Sequence, residues 1–259
     1  MSEILKTEAI VLKSLNYGET SKIVTFYTRE VGRLSGIVKG ARRPKNKFGA
    51  SLEPMSQVSL VVYSKERREI QTVAECDLLK SFYRISDDLE KMAAGLAMIE
   101  LVNTVAHEQE QNTSLYELLL DSLSVLSRAT KNYQNLLYKF EIGLAFALGF
   151  GFSFTNCMSC GLTRDLDSGM IEFQLEKGGR LCPKCGGAAG HKVKLPRHVV
   201  GMLEFLLSQS DLSGVFNLSM RKRDEESVQN FLWTYLQFHV SGLRPLKSRE
   251  VFSSLSSMS

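Results

Sequence analysis

The chain has 259 residues, 44% of them hydrophobic and 23% charged, with a formal net charge of +4. That balance is ordinary for a folded globular protein and excludes wholesale disorder. No apolar run reaches the ~18–20 residues of a membrane span, so no membrane partner is expected. The length exceeds one typical domain of ~100–150 residues and suggests two modest ones. Met1-Ser2-Glu3-Ile4-Leu5-Lys6 has no basic region followed by an apolar stretch, which predicts no export signal and a protein that stays in the cytoplasm.

The charge is unevenly spread. Residues 1–75 carry 13 Lys/Arg against 8 Asp/Glu, a balance of +5, and the remainder carries a balance of −1. Val31 to Leu52 contains Arg33, Lys39, Arg42, Arg43, Lys45 and Lys47 and no acid. Local potential, more than total charge, decides attraction to a polyanion, so the first third points to a phosphate-bearing partner.

In chain order, five short segments rich in Val, Ile, Thr, Phe and Tyr come first: Thr7–Leu12, Lys22–Thr28, Arg33–Lys39, Gln57–Tyr63 and Ile70–Ala74. Turn signals separate them at Asn16-Tyr17-Gly18, Glu30-Val31-Gly32, Arg43–Gly49 and Lys65-Glu66-Arg67. Five strands with no helix between them predict a small closed barrel. An OB-fold is preferred over an SH3-like barrel of similar appearance. The segment Lys39-Gly40-Ala41-Arg42-Arg43-Pro44-Lys45-Asn46-Lys47-Phe48-Gly49 reads as a strand end entering an exposed basic loop. Guanidinium groups there pair with phosphates in bidentate fashion, and Tyr17, Phe48 and Tyr63 are candidates to stack bases if exposed. The competing reading is a solvated loop with no ligand.

Beyond residue 80 the period becomes helical. Ser86 with Asp87 and Asp88 predicts an N-cap followed by an acidic first turn, and Leu89, Met92, Leu96 and Ile99 continue the helix. Ser114 and Glu117 form a capping-box pattern ahead of the face Leu115, Leu119, Leu123 and Leu126. A third helix carries Leu136, Leu137, Phe140, Leu144 and Leu148 and stops at Gly149. A fourth follows Pro196 with Val199, Met202, Leu203 and Leu206. A fifth opens with Asp224, Glu225 and Glu226 and presents Val228, Phe231, Leu232, Tyr235 and Phe238. These stripes are helix core. The organisation expected is α+β: residues 1–80 as a five-stranded OB-fold barrel, and 81–259 as an all-α domain with an inserted zinc finger at about 150–195.

Within that insertion, Cys157-x2-Cys160 and Cys182-x2-Cys185 stand 21 residues apart. Four thiolates on two tight knuckles can close a tetrahedral site with Zn–S near ~2.3 Å and leave no position for water. The cofactor expected is therefore one structural Zn²⁺. A redox dithiol or four unrelated core cysteines are the alternatives. Gly161, Gly186 and Gly187 follow the pairs where the chain turns, and Cys76, unpaired, reads as buried filler. Arg221-Lys222-Arg223 and Arg244, Lys247 and Arg249 are smaller basic clusters. Histidines at metal-ligand spacing, a G-x4-G-K-[ST] phosphate loop and a Gly-x-Ser-x-Gly elbow are all missing from the sequence, so no catalytic residue is assigned and the chain does not read as an enzyme.

Taken in order, Ala9-Ile10-Val11-Leu12, Tyr17-Gly18-Glu19, Val38 through Lys45 with Phe48-Gly49, Leu52-Glu53-Pro54, Phe140-Glu141, Leu148-Gly149, both cysteine pairs with their glycines, and Leu246-Lys247-Ser248-Arg249 resemble the bacterial recombination mediator family RecO. The resemblance covers nearly the whole chain. It implies an N-terminal OB-fold, a helical C-terminal domain holding a zinc finger, and a nucleoid-associated role in recombinational repair. It implies binding to single- and double-stranded DNA and ATP-independent annealing of complementary strands. It also implies action with RecR to load RecA onto DNA coated by single-stranded DNA-binding protein. The zinc ligands carried over are the four cysteines, and the basic loop carried over is Lys39, Arg42, Arg43, Lys45 and Lys47. Two other classes fit the bare sequence: a zinc-ribbon transcription or RNA-binding factor, and a protein-binding scaffold.

Overall fold

A computed structural model describes residues 3–65, 68–163, 169–187, 189–246 and 248. The first half of the chain builds a closed barrel from β1 (Glu3–Tyr17), β2 (Ser21–Thr28), β3 (Gly32–Val38), β4 (Gln57–Ser64) and β5 (Ile70–Lys80). Neighbours run in the order β1-β2-β3-β5-β4, and β4 returns to β1. All pairs are antiparallel except β3 with β5. This is the five-stranded arrangement of an OB-fold. β1 is far longer than the apolar segment Thr7–Leu12 that announces it, because it pairs with β4 through its first half and with β2 through its second. A register shift between Val11 and Lys13 lets the strand bend from one partner to the other.

Alternation sorts the barrel residues into two sets. Ala9, Val11, Val24, Phe26, Leu34, Val38, Val58, Leu60, Val62, Val73 and Cys76 fill the interior. Each such large side chain removed from water contributes roughly 1.5–3 kcal/mol. At the parallel closure an inward position is Gly36, where an added Cβ would lie 2.6 Å from Val73 Cγ2. The side chain is missing where two strands must approach.

Two compact units are formed. One comprises the described residues of Met1–Arg128 and Pro245–Ser259, and the other is Ala129–Arg244. The first unit runs on past the strand-to-helix switch near residue 80. Helices α1 (Leu89–Val105) and α2 (Thr113–Arg128) belong with the barrel. The reason is polar as well as apolar: the Tyr27 hydroxyl donates to the Asn112 carbonyl at 3.3 Å, and Arg33 Nη1 donates to the Asn103 carbonyl at 3.0 Å.

Both predicted helix starts shift. α1 is capped by Asp88, whose carboxylate accepts from the Lys91 N–H at 3.0 Å, and not by Ser86. For α2 the Asn112 side chain accepts from the Leu115 N–H at 2.9 Å, so Ser114 lies inside the helix and its capping box does not form. Glu117 instead pairs with Arg29 at 2.6 Å. The predicted face Leu115, Leu119, Leu123 and Leu126 is buried throughout.

The second unit holds α3 (Tyr133–Ala147), a three-stranded sheet of β6 (Met170–Gln174), β7 (Gly179–Leu181) and β8 (Lys192–Pro196), then α4 (Arg197–Ser208) and α5 (Lys222–His239). The sheet order is β7-β6-β8, all antiparallel. Pro196 lies at the N-cap of α4, one residue before its first turn. An aromatic nucleus ties the insertion to α5: Phe152 lies 4.9 Å from Tyr235 and Phe173 lies 5.0 Å from Phe231, both edge to face. The Tyr235 hydroxyl donates to the Phe150 carbonyl at 2.8 Å. Phe238 departs from the predicted stripe and is partly exposed beside His191.

Candidate metal centre and nucleic-acid interface

Each cysteine pair sits on its own turn. In the first, the Gly161 N–H donates to the Cys157 carbonyl at 2.8 Å, and Gly161 adopts φ +74°. In the second, directly after β7, the Cys185 N–H donates to the Cys182 carbonyl at 2.9 Å. Gly186 needs no positive φ here; an added Cβ would instead lie 2.5 Å from Glu172 Oε2. The β6–β7 hairpin folds the second turn back onto the first, and the four Sγ atoms lie within 4.8 Å of one another.

The donor set fits a tetrahedral metal. Zn–S bonds of ~2.3 Å place sulfurs about 3.8 Å apart, and Cys160 Sγ and Cys182 Sγ are 3.7 Å apart. The Cys182 N–H donates to Cys157 Sγ at 3.3 Å. Burial pushes the Cys157 thiol up, but amide N–H groups of Cys182, Cys160 and Ser159 outweigh it and draw it down to about 6. Cys185 is pushed up to about 11, first by its hydrogen bond to the Cys182 sulfur. Four crowded sulfurs resist ionising together, and a cation among them removes that conflict. His191, a conceivable substitute ligand, is turned to Glu176, Nδ1 to Oε1 2.7 Å. Cys76 is sealed in the barrel, and burial pushes its thiol up to about 11.

On the barrel, the long β3–β4 connection carries the basic residues. Its two ends are sunk in the core by Ala41 and Phe48, and Leu52 follows Phe48 inward. Phe48 is thus 7% exposed, so the exposure on which its candidacy to stack a base depended is missing. Its apolar ring packs with the barrel core. Between the anchors, Arg42, Arg43, Lys45 and Lys47 are exposed, as is Lys39 just before them. Lys47 Nζ donates to the Ala74 carbonyl at 3.1 Å. Arg42 donates through Nη1 to the Gly18 carbonyl at 2.7 Å and through its N–H to the Thr20 carbonyl at 2.9 Å. Arg43 and Lys45 enter no ion pair among the described residues. Arg33 stands apart at the far end of β3, with its guanidinium committed to the Asn103 carbonyl. Of the smaller clusters, Arg221 is held by Asp224 at 2.8 Å, while Lys247 and Arg249 lie outside the described residues.

Arg42 fastens the basic tip to the turn that follows Tyr17, and Tyr17 is 54% exposed. The register adds to Tyr63, already a candidate from the sequence, the neighbours Leu15, Ile23, Ile37 and Ile4, which the sequence reading missed. Leu15 lies opposite Ile23, Ile23 opposite Ile37, Ile37 opposite Thr72, Thr72 opposite Tyr63, and Tyr63 opposite Ile4. Val24, Phe26 and Val38 point inward, so this row faces outward around the barrel. Leu15, Tyr63 and Ile4 are each about half exposed. Strands apolar on both faces read as buried strands, and only the pairing shows which face is open.

The chain matches two family models end to end: Recombination protein O N terminal over residues 1–82, and Recombination protein O C terminal over residues 86–250. It is 33% identical to the DNA repair protein RecO of Chloroherpeton thalassium over 97% of this chain and 99% of that one. It is 31% identical to the DNA repair protein RecO of Salinibacter ruber over 97% and 94% of the two chains, and 29% identical to that of Alkaliphilus metalliredigens over 92% and 94%. With an OB-fold barrel, a helical second half, a cluster of four cysteines and matches across both halves, the chain belongs to the recombination protein O family, whose role lies in DNA repair and recombination.

Proposed function

We propose that this protein is a recombination mediator that binds DNA through its barrel, anneals complementary single strands without ATP and acts with RecR to help load the recombinase RecA onto strands coated by single-stranded DNA-binding protein. The observation that carries the DNA-binding part is the juxtaposition of Arg42 and Tyr17. Cationic side chains for phosphates and an exposed ring for bases stand together at one end of the barrel. Lys39, Arg42, Arg43, Lys45 and Lys47 supply the phosphate-binding charge; Arg33 contributes indirectly by holding β3 to α1. Neutralising phosphates on two strands lowers their mutual repulsion and speeds pairing.

The four cysteines, Cys157, Cys160, Cys182 and Cys185, hold one structural zinc, which when bound cross-links the two turns and supplies no catalytic position. The partners and the cytoplasmic, nucleoid-associated setting rest on the family resemblance.

The test is annealing of labelled complementary strands at low salt, with and without ATP, naked and then coated by the cognate single-stranded DNA-binding protein. Annealing indifferent to ATP, suppressed by salt and surviving the coat is the expected result. A requirement for ATP, or no annealing of naked strands, overturns the mediator reading. Stronger salt-sensitive binding to RNA than to DNA would favour an RNA-binding factor.

A further inference from the structure

Arg180, at the centre of β7 and two residues before Cys182, is the largest fully buried side chain among the described residues, 1% exposed. Its Nη2 donates to the Thr155 carbonyl at 3.1 Å and to the Leu162 carbonyl at 2.9 Å, one on each side of the first cysteine pair. The same Leu162 carbonyl accepts the Cys157 N–H at 2.9 Å. The Arg180 carbonyl in turn accepts the Met158 N–H at 3.0 Å. One residue on the second turn's strand thus clasps the first turn at three points, and its guanidinium reaches Cys157 through a single shared carbonyl.

A guanidinium keeps its charge in proteins, and a buried charge is costly without a counter-charge. The carboxylates of the described insertion are engaged elsewhere: Glu172 lies 3.4 Å from Lys194, and Glu176 lies 2.7 Å from His191. No ion pair reaches Arg180 among the described residues, and its Nε has no hydrogen-bond acceptor there. Carbonyl oxygens offer partial charge only. Among the described residues of the insertion, the remaining anion is the cysteine cluster itself, because four thiolates around a divalent cation form a net dianion.

We infer that Arg180 is the internal counter-ion and positioning residue of the metal centre, balancing the charge of the zinc–thiolate cluster while its Nη2 holds the first turn in place for the metal. The inference rests on the zinc assignment above and goes beyond it by naming the residue outside the ligand set on which retention of the metal depends. Groups that orient and balance a metal's ligands typically change its affinity about 10–100-fold when removed.

The experiment uses the full chain in three forms: wild type, Arg180→Gln, which keeps an amide donor and loses the charge, and Arg180→Lys, which keeps the charge and loses the fork. Zinc transfer to a chromogenic chelator gives the release rate, and Co²⁺ substitution reports tetrahedral thiolate coordination by its absorption. Arg180→Gln is expected to release zinc about 10–100-fold faster than wild type, with Arg180→Lys recovering most of the difference. Equal retention by wild type and Arg180→Gln overturns the inference, and so does equal loss in Gln and Lys, which would assign the role to shape alone. If Arg180→Gln does not fold, Arg180→Lys decides: release within a few-fold of wild type supports the inference, and release as fast as from Cys160→Ser overturns it. Wild-type protein that takes up neither zinc nor cobalt removes the metal assignment itself, an outcome distinct from any difference among the variants.

Discussion

Arg42 and Gly18 are joined at 2.7 Å, guanidinium to carbonyl, across a separation of 24 residues. With the Arg42 N–H donating to Thr20, this fixes the basic tip against the β1–β2 turn. Arg42 therefore has a structural role as well as an electrostatic one, whereas Arg43 and Lys45 are exposed and enter no ion pair among the described residues. Replacing Arg43 and Lys45 together by alanine should leave the melting temperature unchanged and lower single-strand affinity alike for unrelated sequences. The plot of log affinity against log salt should flatten by ~0.7 for each phosphate that is no longer neutralised. Fluorescence anisotropy across a salt series measures this; an unchanged slope would identify the tip as a solvated face.

Tyr17 is the residue expected to discriminate single strands from duplex. Its exposed ring can stack only on a base that is already unpaired, an interaction worth about 1–3 kcal/mol per base. Tyr17→Ala should weaken binding to single-stranded DNA by that amount and leave duplex affinity nearly as it was. Equal losses on the two substrates would assign Tyr17 to the fold and not to the ligand.

Cys160→Ser or Cys182→Ser should yield protein without stoichiometric zinc by elemental analysis. Metal binding in small zinc peptides is worth an apparent ~10–16 kcal/mol and is coupled to folding, so the insertion should become susceptible to proteolysis between α3 and α4. The barrel should persist as a protected fragment. Wild-type protein purified without chelators and free of zinc would count against the whole assignment.

Acid should release the metal over a defined range. The Cys157 thiol is lowered from its ordinary 9 to about 6. A depressed group contributes stability that is present above its unfolded value and lost as pH falls through its folded one. The contribution of Cys157 is thus present above about 9 and lost as pH falls toward about 6, and because zinc needs deprotonated thiols, retention should weaken as pH falls through that range. Zinc release to a chelator, followed as a function of pH, gives the check; release independent of pH between 5 and 8 would contradict it.

At the barrel closure, Gly36→Ala should destabilise by about 1–3 kcal/mol through overpacking, since the new Cβ would stand 2.6 Å from Val73 Cγ2. Combining it with Val73→Ala should recover part of the loss in urea unfolding. Additive losses would show that backbone pairing, not the side-chain clash, sets the cost.

Much of this is legible in the sequence, for reasons that can be named. The four cysteines are readable because their spacing is itself the geometry of two turns. The barrel strands are readable as apolar β-branched segments, and the helix faces as periodic stripes. Asp88 and Asn112 take the caps predicted for Ser86 and Ser114 because several capping residues stand side by side, and tertiary packing chooses among them. The short sheet β6-β7-β8 is hidden because its strands span only five, three and five residues and gain order from one another. Phe48 and Arg180 are hidden for a common reason: a ring among lysines reads as surface, and an arginine between glycine and leucine reads as solvated. Only long-range packing turns both inward.

Ala41 and Phe48 act as two fixed posts for the segment between them. The chain between the posts contributes no side chain to the barrel core, so outside Arg42, Asn46 and Lys47, whose hydrogen bonds tie the segment down, its composition can drift with little effect on the stability of the domain. Selection can then retune the proposed grip on DNA, stronger or weaker, by exchanging exposed residues such as Arg43 and Lys45 that enter no ion pair among the described residues. A graft of a foreign tip of equal length that retains Arg42, Asn46 and Lys47 should keep its melting temperature while acquiring the donor's affinity.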